Sequence, residues 1–379
     1  MSCRICTRCG KCGLVPAVPI REDGVAALPV LVRRKGLGAA VDLGTTTVVV
    51  RVYDLSDGTL VRQASCLNPQ RSVAADVMGR ISAAQQGRLA ELRDLIRAAI
   101  RDCLGGLEVT EAVVVGNTTM LHLFAGADPS SFATAPFRAT RLFGEWKSQK
   151  CETTGLTSCL AFLGFPRCAH AFFGADAVAA VRMSGMCDRG GCELLADIGT
   201  NGELALWRGD RQELTVTSVA AGPAFERPGL SGSEIISALA DGLESGAIDA
   251  TGLVTGTLRV GLTQEDVRAV QLAKAAVFAG IWTLLDKTGM KIADVARFSL
   301  AGGFGSGLDS VKAARIGLYP SELTPVVRVC GNLAIEGATA ALFDPAFGKA
   351  ADLLAEKAVH LELGGDADFA DAFMSAMTF

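Results

Sequence analysis

Two short stretches with the same outline constrain the fold more than anything else in the chain. In the first, Val41 leads through Asp42-Leu43-Gly44-Thr45-Thr46-Thr47 into Val48-Val49-Val50. In the second, Leu194-Leu195-Ala196 leads through Asp197-Ile198-Gly199-Thr200-Asn201-Gly202 into Glu203-Leu204-Ala205-Leu206. β-Branched and aliphatic runs favour strands, and a glycine at the break permits backbone angles that other residues resist. Each stretch therefore reads as a β-hairpin. The first turn carries one carboxylate, one glycine and three hydroxyls. Its N–H and O–H groups suit phosphate oxygens, and Asp42 can hold a hydrated Mg²⁺ through oxygen contacts. A hairpin with threonine at its tip is also, taken alone, simply a hairpin. Recurrence shifts the balance. The two aspartates lie 155 residues apart, too far for a solenoid repeat and a suitable distance for a duplicated domain. Two such hairpins, each opening one half, are expected to face one another across a cleft, with a metal triphosphate between Asp42 and Asp197.

The chain is long enough, at 379 residues and half apolar, to bury one large core or two linked ones. A net charge of −4 with no basic run leaves no electrostatic footprint for nucleic acid. We expect no bilayer-spanning segment and no leading signal, hence a soluble, cytoplasmic protein. In that setting twelve cysteines point to metal ligation rather than disulfides. Four of them, Cys3, Cys6, Cys9 and Cys12, form an unbroken C-x2-C-x2-C-x2-C. Thiolates at this spacing can converge on one soft metal centre if the backbone turns tightly, and Gly10 and Gly13 help it turn. The bacterial ferredoxin run has a longer last gap followed at once by proline, and this sequence departs from it there. Four thiolates suit an Fe–S cluster of the four-iron type, with structural Zn²⁺ as the alternative. We place this Cys-rich segment at 1–20, a linker at 21–38, a first lobe at 39–190 and a second at 191–379.

Further along, Val73 to Ile100 shows helical spacing, with Val77, Ile81, Leu89, Leu92 and Ile96 as core contacts. A buried-type strand, Ala112 to Val115, runs into Gly116-Asn117-Thr118. Ligands of α/β proteins gather at the carboxyl ends of strands, so Asn117 and Thr118 are site candidates; equally, either caps the helix that follows. His122 reads as a satisfied helix histidine. Gly174 to Val181 is a small-residue helix start, with Asp176 either a cap or a cleft carboxylate. Ala220 to Glu226 is a glycine–proline loop carrying one acid. Helices are expected at Ser233–Gly242 and Gln264–Lys287, the latter with Val270, Ala273, Lys274 and Val277 on one face. The strand Phe298 to Ala301 then enters Gly302-Gly303-Phe304-Gly305, where bare backbone can lie flat against a planar ligand such as adenine. A second small-residue helix, Gly331 to Leu342, reads as the second half's counterpart of the one at Gly174.

Taken in order, hairpin, small helix, hairpin, adenine loop and small helix resemble the actin, sugar kinase and heat-shock chaperone (ASKHA) superfamily. More closely, Val41–Val50, Val113–Met120, Gly174–Val181, Asp197–Glu203, Ala220–Glu226 and Leu300–Asp309 resemble the carboxyl-terminal domain of reductive activators of corrinoid proteins. The resemblance covers residues 39 to 345. It implies an α/β fold of duplicated actin-like ATPase (ribonuclease H-like) lobes around a nucleotide cleft, behind the short Cys-rich segment. It further implies an ATPase that returns cobalt(II) corrinoid to cobalt(I) in a partner methyl-transfer protein, using an electron from an Fe–S centre. By matching position, Asp42 and Asp197 would organise Mg²⁺ and the attacking water. Gly44, Thr45, Thr46, Asn117, Gly199, Thr200 and Asn201 would hold the phosphates of ATP, and Gly302 and Gly303 the adenosine. A ferredoxin-like electron donor and a homodimer fit the same picture; nucleic acid and membrane do not. Activators of this kind carry an intact ferredoxin-like domain where this chain has only Cys3, Cys6, Cys9 and Cys12. Two other readings stand beside it. A small-molecule kinase would need a carboxylate base, for which Asp176 and Glu226 are the candidates. A non-catalytic nucleotide- or metal-binding regulator would bind ATP without useful turnover.

Overall fold

The computed structural model describes residues 34–147, 156–157, 161–225, 230–303 and 307–379. Cys3, Cys6, Cys9, Cys12, Cys151, Cys159, Glu226, Phe304 and Gly305 lie outside the described residues. The chain opens with strands β1 (Leu37–Leu43), β2 (Thr47–Asp54) and β3 (Leu60–Leu67), then helices α1 (Val77–Ala83) and α2 (Leu89–Leu104). Next come β4 (Val109–Gly116), α3 (Thr118–Ala125), β5 (Glu145–Lys147), β6 (Phe162–Phe165) and α4 (Ala175–Ser184). The second run comprises β7 (Cys192–Ile198), β8 (Gly202–Arg208), β9 (Glu213–Val219), α5 (Gly232–Glu244), α6 (Gln264–Lys287) and β10 (Val295–Gly302). It finishes with α7 (Ser310–Arg315), β11 (Val327–Gly331), α8 (Leu333–Phe343), α9 (Pro345–Lys357), β12 (Val359–His360) and α10 (Ala367–Ser375).

Contacts divide these elements into two compact units, one running to Asp188 plus Leu333–Lys357, the other Arg189–Asn332 plus Ala358–Phe379. The first is built on a six-stranded sheet in the order β3-β2-β1-β4-β6-β5. Gly38 to Leu43 are all buried, and because successive strand residues point to opposite faces, β1 must be covered on both sides. Helix α8 packs against β1 and β4, and α2 against β2 and β3. The second unit is built on a six-stranded sheet in the order β11-β10-β7-β8-β9-β12. Its core joins Leu194, Leu204, Leu206, Phe298 and Leu300 to Val270, Val277 and Ile281 of α6. Helix α6 is long and apolar enough to cross a membrane by length and composition, contrary to the expectation from sequence. It is instead the core helix of its unit, with 72% of its apolar window buried.

The sequence repeat is matched by a repeat of topology. In the first sheet β1 runs antiparallel to β2 and parallel to β4; in the second β7 runs antiparallel to β8 and parallel to β10. β2 continues antiparallel to β3 as β8 does to β9, and β4 lies parallel to β6 as β10 does to β11. The fold is thus α/β with duplicated lobes of the actin-like kind.

Two local readings change. The Val73–Ile100 helix is broken: Gly87, at φ +86°, interrupts it, so α1 and α2 are separate, joined by a wide turn at Ala84–Arg88. Ile81, Leu92 and Ile96 are buried as expected, whereas Val77 and Leu89 are only partly so. Helix α8, expected with the second half, packs instead in the first unit against α4. Small residues allow the close approach: a Cβ at Gly337 would sit 2.7 Å from the Ala179 carbonyl oxygen. Arg51 pairs with Glu336 at 2.7 Å, Tyr53 meets the Thr339 hydroxyl at 3.4 Å, and Trp146 donates to Asp352 of α9 at 2.6 Å.

Candidate functional site

Each sheet carries one acidic hairpin, and the two are built alike. Asp42 lies one residue before the end of β1, opposite Val49 of β2 and Val115 of β4, and is 9% exposed. The turn closes through the Gly44 N–H, which donates to the Thr47 carbonyl at 3.0 Å. Asp197 lies at the matching place in β7, opposite Glu203 of β8 and Ala301 of β10. There the Gly199 N–H donates to the Asn201 carbonyl at 2.8 Å. This second turn is one residue shorter, since Ile198 pairs directly with Gly202 where Leu43 pairs with Val48. Thr200 and Asn201 sit in it, half-buried.

Around the first turn the structure gathers several expected residues. Asn117 caps α3, its Oδ1 accepting from the Met120 N–H at 2.9 Å, while its Nδ2 donates to the Thr45 hydroxyl at 2.9 Å. The cap reading holds for this residue, and the same side chain also reaches the first turn. Thr118 turns away, donating from Oγ1 to the His170 carbonyl at 2.7 Å. His122 is buried, with Nδ1 on the Thr118 carbonyl at 2.7 Å and rings of Phe132 and Phe143 edge-on. Burial pushes its pKa down, so it is neutral and structural. Asp176 accepts the Ala177 N–H at 2.8 Å as a helix-start acid, which weakens its claim as a kinase base.

In the second unit, β10 brings Gly302 beside Ile198 in parallel register, and the Gly303 N–H donates to the Ile198 carbonyl at 3.3 Å. Gly302 has φ +116°, and a Cβ there would lie 2.1 Å from that same carbonyl oxygen. Only glycine fits. The Gly302–Gly303 loop and the Asp197 turn are therefore adjacent within one unit. Asp42, Gly44, Thr45, Thr46 and Asn117 form the other group, in the other unit.

Sequence reasoning missed the residues beneath the first turn. Asn68, 1% exposed, donates from its backbone N–H to the Thr46 carbonyl at 2.7 Å and from Nδ2 to the Gly44 carbonyl at 2.9 Å. Arg80 donates to the Thr45 carbonyl at 2.7 Å. The Asn-Pro pair at 68–69 marked a turn, whereas nothing in the helical pattern distinguished Arg80 from a solvated charge.

The donor set decides what could bind. Among the described residues no three His, Cys, Asp or Glu side chains cluster as metal ligands. One carboxylate per hairpin, beside hydroxyl and amide donors, fits Mg²⁺ that keeps most of its waters and reaches the protein mainly through phosphates. An all-protein cage is the poorer match.

Comparison with known proteins agrees with this geometry. The RACo middle region matches residues 37–189, and the C-terminal domain of RACo, the ASKHA domain, matches residues 191–231 and 254–379. The chain belongs to the RACo family. Among its relatives, the corrinoid activation enzyme RamQ of Eubacterium limosum is 28% identical, the alignment covering 90% of this chain and 70% of RamQ. A Co(II) methylated amine-specific corrinoid protein reductase of Methanosarcina barkeri is 25% identical over 60% of this chain and 54% of that protein. A solved reductive activator for a corrinoid, iron-sulfur protein superposes with a TM-score of 0.84 at 27% identity, covering 91% of this RACo-family chain. This chain spans 66% of the length of that structure.

Proposed function

We propose that this RACo-family chain is an ATP-dependent reductive activator of a corrinoid protein, working in a reducing cytoplasm. The observation that carries the reading is the pair of topologically equivalent Asp-x-Gly-Thr hairpins in a chain of this family. The names of its relatives, each concerned with corrinoid proteins, support the partner. Asp42 and Asp197 are assigned to Mg²⁺ and the attacking water, and the two turns with Asn117 to the phosphates. Gly302 and Gly303 are assigned to the adenosine. Mg²⁺ held by Asp42 and Asp197 would supply positive charge to offset that of the phosphates. The protein's own part is positioning: the Thr45 hydroxyl already accepts from Asn117, so its proton is directed elsewhere, and Gly302 leaves backbone exposed for a flat ring.

Cys3, Cys6, Cys9 and Cys12 are assigned to an Fe–S cluster, with Zn²⁺ as the alternative; a cluster would supply a low-potential electron. Their donor set of four thiolates suits that role in chemistry. A ferredoxin-like donor upstream and a homodimeric assembly complete the proposal. The test is purification without oxygen, assay of iron, sulfide and zinc, then addition of MgATP and a cobalt(II) corrinoid protein. The expected outcome is a brown, iron-containing protein and ATP-dependent loss of the cobalt(II) absorption. Zinc without iron removes the electron-transfer role, and cobalt reduction indifferent to ATP removes the ATPase role.

A further inference from the structure

Two free thiols meet where the outer strand of the first sheet packs on α2. Cys66 is partly exposed on β3, and Cys103, in the last turn of α2, is 5% exposed. Their sulfurs lie 3.5 Å apart, with the Cys103 thiol donating. Burial, and next the hydrogen bond to Cys66, push the Cys103 pKa up to about 12, so it keeps the proton it donates. Neighbouring groups fix the meeting. Arg62, also on β3, donates from Nε to the Cys103 carbonyl at 2.7 Å. Gly105, the left-handed cap of α2, leaves room for that side chain: a Cβ there would lie 2.7 Å from the Arg62 guanidinium carbon. Two cysteines in contact can also be plain small apolar packing. Here one of the two is accessible, and a disulfide about 2.0 Å long needs the sulfurs to close by only about 1.5 Å.

The pair lies on the strand that supports the first acidic turn. In the β2–β3 register Cys66 pairs with Val48 and Leu67 with Thr47. The next residue, Asn68, holds the turn from beneath. Its N–H donates to the Thr46 carbonyl at 2.7 Å and its Nδ2 to the Gly44 carbonyl at 2.9 Å. Among the described strands β3 is outermost, with β2 as its neighbour, whereas α2 is a 16-residue helix anchored by buried Leu92, Ile96 and Ile100. The edge strand is the softer partner. Closure of the sulfurs therefore falls on β3 and draws Asn68 from the carbonyls it holds.

We propose that Cys66 and Cys103 are a thiol–disulfide modification site, oxidised by a low-molecular-weight disulfide such as oxidised glutathione, and that this oxidation loosens the Gly44–Thr47 turn and weakens triphosphate binding. The Cys66 sulfur attacks one sulfur of the oxidant, whose S–S bond breaks and releases one thiol carrying the Cys66 proton. Cys103 then attacks Cys66 in that mixed disulfide, and the second thiol leaves with the Cys103 proton. The protein thiols lose an electron pair and the oxidant gains it. The inference rests on the nucleotide reading above and adds its regulation: an activator that needs a low-potential electron stops holding ATP where thiols are oxidised.

The test uses full chains, wild type and the double variant C66S/C103S, each checked for folding by circular dichroism. Both are fully reduced and then incubated with oxidised glutathione for hours, since a thiol this hard to ionise exchanges slowly. Peptide mapping after alkylation is expected to find Cys66 joined to Cys103 in wild type. MgATP should bind the oxidised wild type about tenfold more weakly, the size of one hydrogen bond lost at the turn, and dithiothreitol should restore it. Adenosine, assigned to the other unit, should change less than about twofold. The double variant keeps Cys3, Cys6, Cys9 and Cys12, so any effect of oxidising those appears in both proteins. Its MgATP affinity should respond by less than about twofold. Absence of the Cys66–Cys103 link overturns the proposal. So does a link that leaves MgATP affinity unchanged, or an equal response in the double variant. If the double variant does not fold, reversal in wild type decides the matter: affinity that recovers in step with loss of the link supports the proposal, and affinity that does not recover overturns it. Reduced wild type that binds no MgATP brings down the nucleotide reading itself, and this inference with it.

Discussion

Asp42 and Asp197 are single carboxylates at the ends of strands, and their charge can be removed without changing their shape. D42N and D197N are each expected to lower ATP turnover by about 100-fold or more, as loss of one preorganised electrostatic group does elsewhere. Phosphate release checks this, and thermal melts within a few degrees of wild type, about 1 kcal/mol, show that the fold survives. Unchanged turnover in both variants would remove them from the site. Lys274 gives a second residue-scale prediction. It is 1% exposed, donates to the Ala376 carbonyl at 2.7 Å and the Thr378 carbonyl at 2.5 Å, and lies over the Phe379 ring. Burial pushes its pKa down to about 8, below the 10.5 of an exposed lysine. Between these values the unfolded chain binds more protons than the folded one, so stability from this group rises with pH there, and below pH 8 the full cost of the buried ammonium is felt. Denaturant midpoints should show wild type gaining about 1 kcal/mol between pH 8 and 9 relative to K274M. Identical slopes for the two proteins would contradict it. The positions of Asp42 and Asp197 near the strand ends of two like hairpins, and the face of α6 bearing Lys274, were legible from residue pattern alone. Arg80 was not: an arginine amid an amphipathic run reads as solvated until the partners of its guanidinium are known.

Elements depend on where glycine lets backbones meet. A Cβ at Gly302 would drive into the Ile198 carbonyl from a backbone angle that L-residues resist. G302A is therefore expected to cost about 3 kcal/mol or more, read as a drop in urea midpoint, because a backbone clash and a strained angle coincide. Loss of adenosine binding should accompany it. G337L should separate α4 from α8, whose contact tolerates no side chain at that point, and cost at least about 1–3 kcal/mol. A midpoint unchanged from wild type would mean that the two helices do not pack as described. Hairpins, the Gln264–Lys287 helix and the glycine loop were readable because their patterns are local. The break at Gly87 was not, since one glycine inside a helical period is often tolerated.

Across the molecule, the first unit is completed by a segment that arrives late in the chain. Leu333–Lys357 contributes α8 and α9, and the chain then returns to the second unit through β12, which pairs with β9. A chain ending at residue 332 should thus lose hydrogen-exchange protection in β1, β4 and α4, although all three precede the cut by more than a hundred residues. Protection retained there would show that α8 is dispensable to the first sheet. A thermal shift offers a complementary check. MgATP at about 100 times its dissociation constant should stabilise wild type by about 2.7 kcal/mol, and D42N or D197N much less.

Local chemistry sufficed for the repeated acidic hairpins, the two-lobed α/β class and most of the strands and helices, because β-branched runs, glycine breaks and helical periods act over a few residues. What lay beyond it was decided by contacts between distant segments: α8 against α4, Asn68 and Arg80 beneath the Gly44–Thr47 turn, and the clamp of Lys274 on the chain's last residues. Burial and hydrogen-bond partnership belong to pairs of residues, and only the folded chain brings those pairs together.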